Sequence, residues 1–536
     1  MKELRCLTWL TVAAILSSSN QCHVEAAGSF VKDPARCPHR GVYELSIETD
    51  EKFDNPYAEV DFKVSFTRPD GTKVGVDGFY DGSNLFKARA YCDTVGRWQW
   101  RSSSNLGSLN NRNGQFNVVE SKLKGKLRIH ARDPRQFAYD NGQWFLHIGD
   151  TGYRYVTKTE PKWKEYIDQA AKMGVTKIRT WFCQGRSDVQ ILFANKRREL
   201  NLDYFQEIDR RLLYALKKYP HIQFKLIPYG EDTEELRRYD AGDSMSYLVA
   251  RYSQARFSAL PNIHWCVSND RDIVKVGKLS GRKVYARTID RIARDMKKRE
   301  PWGSLLTNHQ KRFSGYEFVD AEWSNIITIE DLDQVTGEVI LKYRKLGNNP
   351  VINDEDRYEK YRQPEHPRYY FRRLMWSSLL SGGHATYGGL ATYEPYDGNE
   401  RGVQGYYDNA RAGKLEGGDD FVHIHKFFND SGPTLVAMQP DDAAVGNDAQ
   451  KYKCIHNDVV YIVYLANPNN STPQKADVSS KVPSVNVRLK SMAYSVRWFN
   501  PRSGKWTKAD AVNVKGENVR LRAPSGGDWI LLLQKG

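Results

Sequence analysis

The sequence predicts a multidomain chain with an N-terminal β-sandwich, a central (β/α)8 TIM barrel and a C-terminal β-sandwich. Three observations point there. Between Trp144 and Gly388, short apolar runs alternate with amphipathic helical stretches, the pattern of a chain that lays down parallel strands. On either side, period-two alternation and turn clusters take over, as in antiparallel sheets. Two predicted barrel strands, 262–270 and 350–355, also run out into carboxylates, Asp270 and Glu355, that lie 85 residues apart. A closed barrel would aim both into one cleft at the carboxyl end of its strands.

The chain opens with what reads as an address. Lys2 and Arg5 precede an apolar run from Cys6 to Leu16, and Val24-Glu25-Ala26 offers a small-residue cleavage site, so residues 1–26 are expected to be a signal peptide. No other segment reaches the roughly 20 apolar residues of a membrane span. The expectation is therefore a secreted or periplasmic protein with no integral membrane segment once the leader is removed.

Residues 27–128 form the first predicted sandwich. Apolar and polar residues alternate from Ala58 to Phe66, and Arg68-Pro69-Asp70-Gly71 supplies turn chemistry. Gly78-Phe79-Tyr80-Asp81-Gly82 and Gly96-Arg97-Trp98 continue the spacing of a sandwich. With Asn55-Pro56-Tyr57, these motifs resemble the immunoglobulin-like domain that precedes the barrel in many bacterial polysaccharide-degrading enzymes. They either line a sugar-binding surface or serve turns and packing.

The barrel is assigned to 129–430. Tyr139-Asp140-Asn141-Gly142-Gln143 reads as a hairpin turn, and Trp144 to Asp150 as the first strand, ending in an acid. Trp163, Tyr166, Ile167, Ala170 and Ala171 make a helical stripe that Gly174 ends. Strands two and three follow at 175–182 and 223–228, separated by the stripe Tyr204, Ile208, Leu212, Ala215 and Leu216. The Asp270 strand is the fourth, and 305–309, 325–329, 351–352 and 385–387 supply the last four. Residues 431–536 return to β, with strands at 459–465, 494–499 and 528–533.

Charge and cysteines bound the partners. The net charge of +15 is unchanged by loss of the leader, which carries two acids and two bases. That excess either attracts an anionic polymer or is dispersed lysine that aids solubility. No nucleic-acid recognition motif is visible. Past the leader, five cysteines remain: Cys37, Cys92, Cys183, Cys266 and Cys454. Cys37 and Cys92 are candidates for a bridge within the first domain, whereas Cys183 and Cys266 read as core thiols. No His/Cys spacing suggests a metal site, and no cofactor is called for. Oligomeric state is not legible.

The barrel motifs carry a specific likeness. Gly149-Asp150-Thr151, the run Ala259 to Trp265 leading to Asp270, Asn353-Asp354-Glu355 with Tyr358-Glu359, and Trp376 to Gly383 followed by Thr386-Tyr387-Gly388 look like the apiosidase-like (β/α)8 glycoside hydrolases. The likeness covers about 137–430. Trp498-Phe499-Asn500-Pro501 and Asp528-Trp529 are similar to the small C-terminal sandwich that closes this enzyme group. The resemblance implies that Asp270, after strand four, is the acid/base and that Glu355, after strand seven, is the nucleophile. Many related retaining barrels carry Asn-Glu after strand four, where this chain has Asn269-Asp270.

The chemistry explains why two acids are needed. The leaving oxygen requires a proton, and the oxocarbenium charge that develops on the sugar requires an anion on the opposite face. A separation of about 5–5.5 Å between the carboxyls marks retention and about 6.5–9.5 Å inversion. Asp270 is expected to be pushed up in pKa by an anionic Glu355 and by apolar Trp265 and Val267. Further substrate-binding candidates are Asp150, Arg179, Trp181, His309, Trp323, Tyr358, His384 and Tyr387. For Arg179 the alternatives are support of the nucleophile or a salt bridge inside the barrel. For the aromatic candidates they are sugar stacking or core packing. The function implied is a secreted glycoside hydrolase acting on a polysaccharide or oligosaccharide, with an anionic glycan as one substrate class. The alternative is a non-catalytic carbohydrate-binding protein on a degenerate barrel.

Overall fold

A computed structural model describes residues 22–25, 35–156, 163–183, 189–359, 366–389, 416–469, 479–515 and 518–536. Most of the expected leader lies outside them. Among the described residues, no helix is long and apolar enough to cross a membrane.

Eight parallel strands form the central sheet: β1 (Gly149–Asp150), β2 (Lys177–Trp181), β3 (Gln223–Ile227), β4 (Ile263–Cys266), β5 (Leu306–Thr307), β6 (Ile327–Glu330), β7 (Val351–Glu355) and β8 (His384–Tyr387). They pair in the order β5-β4-β3-β2-β1-β8-β7-β6. Between β5 and β6, side chains complete the ring. Leu306 N–H donates to Asn325 Oδ1 and Asn325 N–H to Leu306 O, both at 2.9 Å, and Thr307 Oγ1 donates to Ile326 O at 2.7 Å.

Parallel strands need cover on both faces, and the helices supply the outer layer. They include α1 (Trp163–Lys172), α2 (Leu202–Lys218), α3 (Thr233–Asp240), α4 (Ser244–Phe257), α5 (Ala286–Arg299), α6 (Glu338–Arg344), α7 (Arg368–Leu380) and α8 (Phe421–Ser431). The α1 stripe is buried as its spacing predicts, through Trp163, Tyr166, Ile167 and Ala170. The chain leaves α1 at Gly174, where φ is +81° and a side chain would be strained.

The expected first strand divides in two. Trp144–Phe145 pairs antiparallel with Phe137–Tyr139, and only Gly149–Asp150 enters the barrel. That hairpin seals the amino-terminal mouth, where Phe137 and Phe145 pack against Leu305, Ile326 and Ile352. Above this plug the interior is charged. Lys177 of β2 and Lys225 of β3 both bind the Asp354 carboxylate of β7, and Thr386 of β8 donates to it as well. Burial pushes Asp354 upward, but the two lysines and Arg179 outweigh it and hold it well below the usual carboxylate range.

The N-terminal sheets pack face to face around Trp98, Phe66, Phe116 and Tyr43, with Tyr43 stacked on Phe116 at 3.8 Å. Cys37 and Cys92 both lie in this core, and Cys92 forms no disulfide. Arg89 fixes the sandwich to the barrel, donating to both oxygens of Asp209 on α2 at 2.8 and 2.6 Å and to Glu44 at 2.7 Å. At the other end, a six-stranded antiparallel sheet docks on α7. Arg372 there donates twice to Asp528 at 2.8 Å and once to Asp420 at 2.7 Å.

Candidate active site

Period-two alternation turns consecutive strand residues to opposite faces, so Asp354 and Glu355 should not both enter the barrel. A bulge resolves this. Ile329 of β6 faces Asn353, yet the next residue, Glu330, faces Glu355, which leaves Asp354 as the extra residue. Asp354 then joins the interior lysines while Glu355 turns into the cleft above them. After β4, Asp270 sits at φ +52°, a left-handed conformation that short polar side chains tolerate.

Glu355 is held on both oxygens. Oε1 accepts from Tyr358 Oη at 2.5 Å, and Oε2 accepts from Tyr153 Oη at 2.7 Å and Arg179 Nη2 at 3.1 Å. Arg179 also donates to Asn269 Oδ1 at 2.5 Å and to the Asp354 carbonyl, tying the ends of β2, β4 and β7 together. Asp270 meets His309 Nδ1 at 3.4 Å and Arg282 Nη1 at 3.5 Å. One oxygen each of Asp270, Glu330 and Glu355 and one ring nitrogen of His309 all lie within 4.8 Å of one another. Such a cluster has the spacing to enclose a cation. Here, however, each carboxylate already faces a guanidinium: Arg282 at Asp270, Arg312 at Glu330 and Arg179 at Glu355.

The electrostatics differ from the expected pattern in one respect. Burial favours a protonated Asp270, but a bond from His309, a bond with Glu330 and the charge of Arg179 outweigh it and hold Asp270 below its ordinary value. Trp265 does not wall the acid as supposed. It faces the helix layer, where its Nε1 donates to Glu300 at 2.8 Å. The raised groups are Glu355, through burial and the charge of Asp270, and Glu330, pushed up to about 11 by burial, Glu355 and Asp270. Glu231 is pushed up to about 7, first by burial and then by Asp270. His309 is pushed down to about 3, first by burial and then by Arg179, and is therefore neutral at ordinary pH.

Of the residues singled out from sequence, the structure brings Asp270, Glu355, Arg179, His309 and Tyr358 together. Trp181, the last residue of β2, stacks on Tyr153 at 4.0 Å and forms one wall with Ile227 and Cys266. Three others point away from the cleft. Asp150 turns outward and accepts from Tyr166 of α1 at 2.5 Å. Tyr387 points into the helix layer against Phe371 and Phe421 and donates to Glu359. Trp323 packs on Phe318, outside the ring, and donates to Asp290 of α5 at 2.9 Å. His384 is the first residue of β8, so it lies at the plugged end against Phe137 and His147.

Sequence reasoning missed Tyr153, Asn269, Glu330 and Glu231. Glu330 had a signal: Ile327-Thr328-Ile329-Glu330 is another strand that runs out into an acid. Ending the sixth strand at Ile329 hid it.

Comparison with known proteins bears on the family and the fold. Residues 131–433 match the family model described as "Apiosidase-like, catalytic domain". Residues 38–105 match a domain of unknown function, DUF5060, and 455–534 match a model described as "Putative collagen-binding domain of a collagenase". Among solved structures, a "putative glycoside hydrolase" from Bacteroides vulgatus ATCC 8482 superposes with a TM-score of 0.72 at 19% identity, covering 94% of this chain and 100% of that one. A glycoside hydrolase family 5 protein from the same strain superposes at 0.58 and 15% identity, over 77% of this chain and 94% of its own. No curated protein matches the chain significantly.

Proposed function

This chain belongs to the apiosidase-like family of glycoside hydrolases, and on that premise we propose that it cleaves glycosidic bonds of a polysaccharide or oligosaccharide by a retaining, two-carboxylate route. Glu355 is the nucleophile. Its carboxylate attacks the anomeric carbon while the leaving oxygen takes a proton from the Asp270 side, giving a covalent glycosyl-enzyme. Water, deprotonated at Asp270, then releases the sugar. The observation that carries this is the approach of Asp270 and Glu355, whose nearest oxygens lie within 4.8 Å. The two carboxylates therefore share one small site, which supports a retaining pair, whose carboxyl groups stand roughly 5–5.5 Å apart. Arg179, Tyr153 and Tyr358 aim and stabilise the nucleophile, and neutral His309 orients Asp270.

The finer assignment rests on less. The charged and apolar start of the sequence supports export to the periplasm or beyond, and the net charge of +15 supports an anionic glycan, uronate-bearing or sulfated. A glycan panel that includes such polymers, with reducing-sugar release and NMR of the first anomer formed, tests the function. Wild type should release sugar with retained configuration, and Glu355→Gln should release none while still binding. If neither protein releases sugar from a glycan both bind, the protein is a binding module. Turnover confined to neutral glycans and indifferent to salt would remove the anionic substrate.

A further inference from the structure

A general acid must carry a proton before substrate arrives, and Asp270 is poorly placed to keep one. His309 and Arg282 face it, at 3.4 and 3.5 Å, and the charge of Arg179 also favours its anion. Glu330 has the opposite surroundings. It ends β6, buried, and the bulge sets it beside Glu355. Arg312 Nε donates to its Oε1 at 2.6 Å, while Asp270 and Glu355 press two further negative charges on it. Tyr358, Glu231 and Arg271 complete the charged and titratable surroundings of the cluster.

Three buried oxygens in this group lack a donor of good geometry: Glu330 Oε2, Asp270 Oδ1 and Glu231 Oε1. Asp270 and Glu330 nevertheless bring one oxygen each within 4.8 Å of the other. As carboxylates they would repel, since neither has a hydrogen to give. A proton held on Glu330 removes that repulsion.

We infer that Glu330 holds the acid proton of the resting site and supplies it to the leaving oxygen through Asp270. This rests on the hydrolase assignment above. In the first half-reaction, Asp270 protonates the glycosidic oxygen as the bond from that oxygen to the anomeric carbon breaks and the bond to Glu355 forms. The proton that Asp270 passes on is the one it has first taken from Glu330, which is left as the carboxylate. In the second half-reaction, water loses a proton to Asp270 as it attacks the glycosyl-enzyme, and that proton returns to Glu330. Glu330 is thus a positioning residue that acts on the substrate only through Asp270. The high retention of a proton on Glu330, about 11, and the depression of Asp270 run in the same direction as the geometry.

The proton can be observed without a substrate. At about pH 9, Glu231, Asp150 and Asp356, which titrate near 7, 6 and 6, are ionised. Infrared spectra of the full chain should then show a protonated-carboxyl stretch that shifts in D2O, is lost in the isosteric Glu330→Gln, and persists in Asp356→Asn. Asp270→Asn, which replaces the facing anion with an amide donor, should lower the midpoint of that band by about 2 pH units. No such band in wild type, or an undiminished band in Glu330→Gln, overturns the inference. Once the panel yields a substrate, Glu330→Gln should lose about 100-fold on alkyl glycosides, with a shifted alkaline limb, and far less on aryl glycosides whose phenol leaves unaided. Equal losses on both also overturn it. A wild type that binds a glycan and releases no sugar would instead sink the hydrolase assignment, turnover surviving in Glu355→Gln would sink only the nucleophile, and the infrared result would stand apart from both.

Discussion

Removing one hydroxyl from the nucleophile's surroundings gives a sharp test of its charge state. Tyr358 Oη donates to Glu355 Oε1 at 2.5 Å, and this bond helps pull down a pKa that burial and Asp270 push up. A hydrogen bond to a charged group contributes about 1.5–3 kcal/mol, and one pKa unit corresponds to about 1.4 kcal/mol. Tyr358→Phe should therefore raise the Glu355 pKa by about 1–2 units. The nucleophile works only as the anion, so the acid limb of kcat/KM, which reports the unliganded enzyme, should move to higher pH by that amount. The assay is a pH-rate profile on the best substrate of the panel, with circular dichroism to establish that the fold is kept. An acid limb that stays within about 0.3 units, or moves to lower pH, refutes the role given to Glu355.

Two stability predictions follow from the buried ion pairs. Asp354→Ala strands Lys177, Lys225 and Arg179 around a vacated anion site and should cost about 3–5 kcal/mol in urea unfolding followed by tryptophan fluorescence, and a loss below about 1 kcal/mol would contradict the charged interior. Asp420, held near 2 because His423, Arg368 and Arg372 outweigh its burial, has a folded pKa below the unfolded value, so its contribution is complete above about pH 4 and lost as pH falls toward 2. That contribution is about 2 kcal/mol, and Asp420→Asn should flatten the stability curve in this window relative to wild type.

Much of the fold was legible because it rests on periodicity. The α1 stripe and the apolar runs of β2, β3, β4 and β7 each match a strand or helix by burial alone. Segments 144–150 misled because Trp144, Phe145 and Ile148 are equally apolar, and only the pairing partner decides which belong to the plug and which to the barrel. At the site, strand-end carboxylates were legible and side-chain direction was not. Asp150 and Tyr387 end strands as Glu355 does, yet they face opposite Ile178 and α8 in the helix layer. His384 and Tyr387 belong to one short strand, so placing both at the cleft ignored the length of β8 itself. Tyr153 follows β1 without a motif of its own, and its role exists only because β2 and β7 bring Arg179 and Glu355 to it.

The positions of the two acids follow from two local departures from regular backbone. Without the bulge at Glu330 and Glu355, alternation would send Glu355 to the same face as Asn353, which bonds Asp356 and Asp331 outside the cleft. Without the left-handed turn at Asp270, the chain would continue the direction of Cys266 and carry the acid past His309. The bulge has a second effect. By letting Asp354 and Glu355 both enter the barrel, it places the carboxylate that binds Lys177 and Lys225 beneath the one in the cleft. Arg179 spans them, donating to the Asp354 carbonyl and to Glu355. The buried lysines and Arg179 thus outnumber Asp354, and Arg179 at the top of this stack carries the excess positive charge to Glu355. Without Arg179 above this interior, burial and the charge of Asp270 would push the Glu355 pKa up unopposed by a cation.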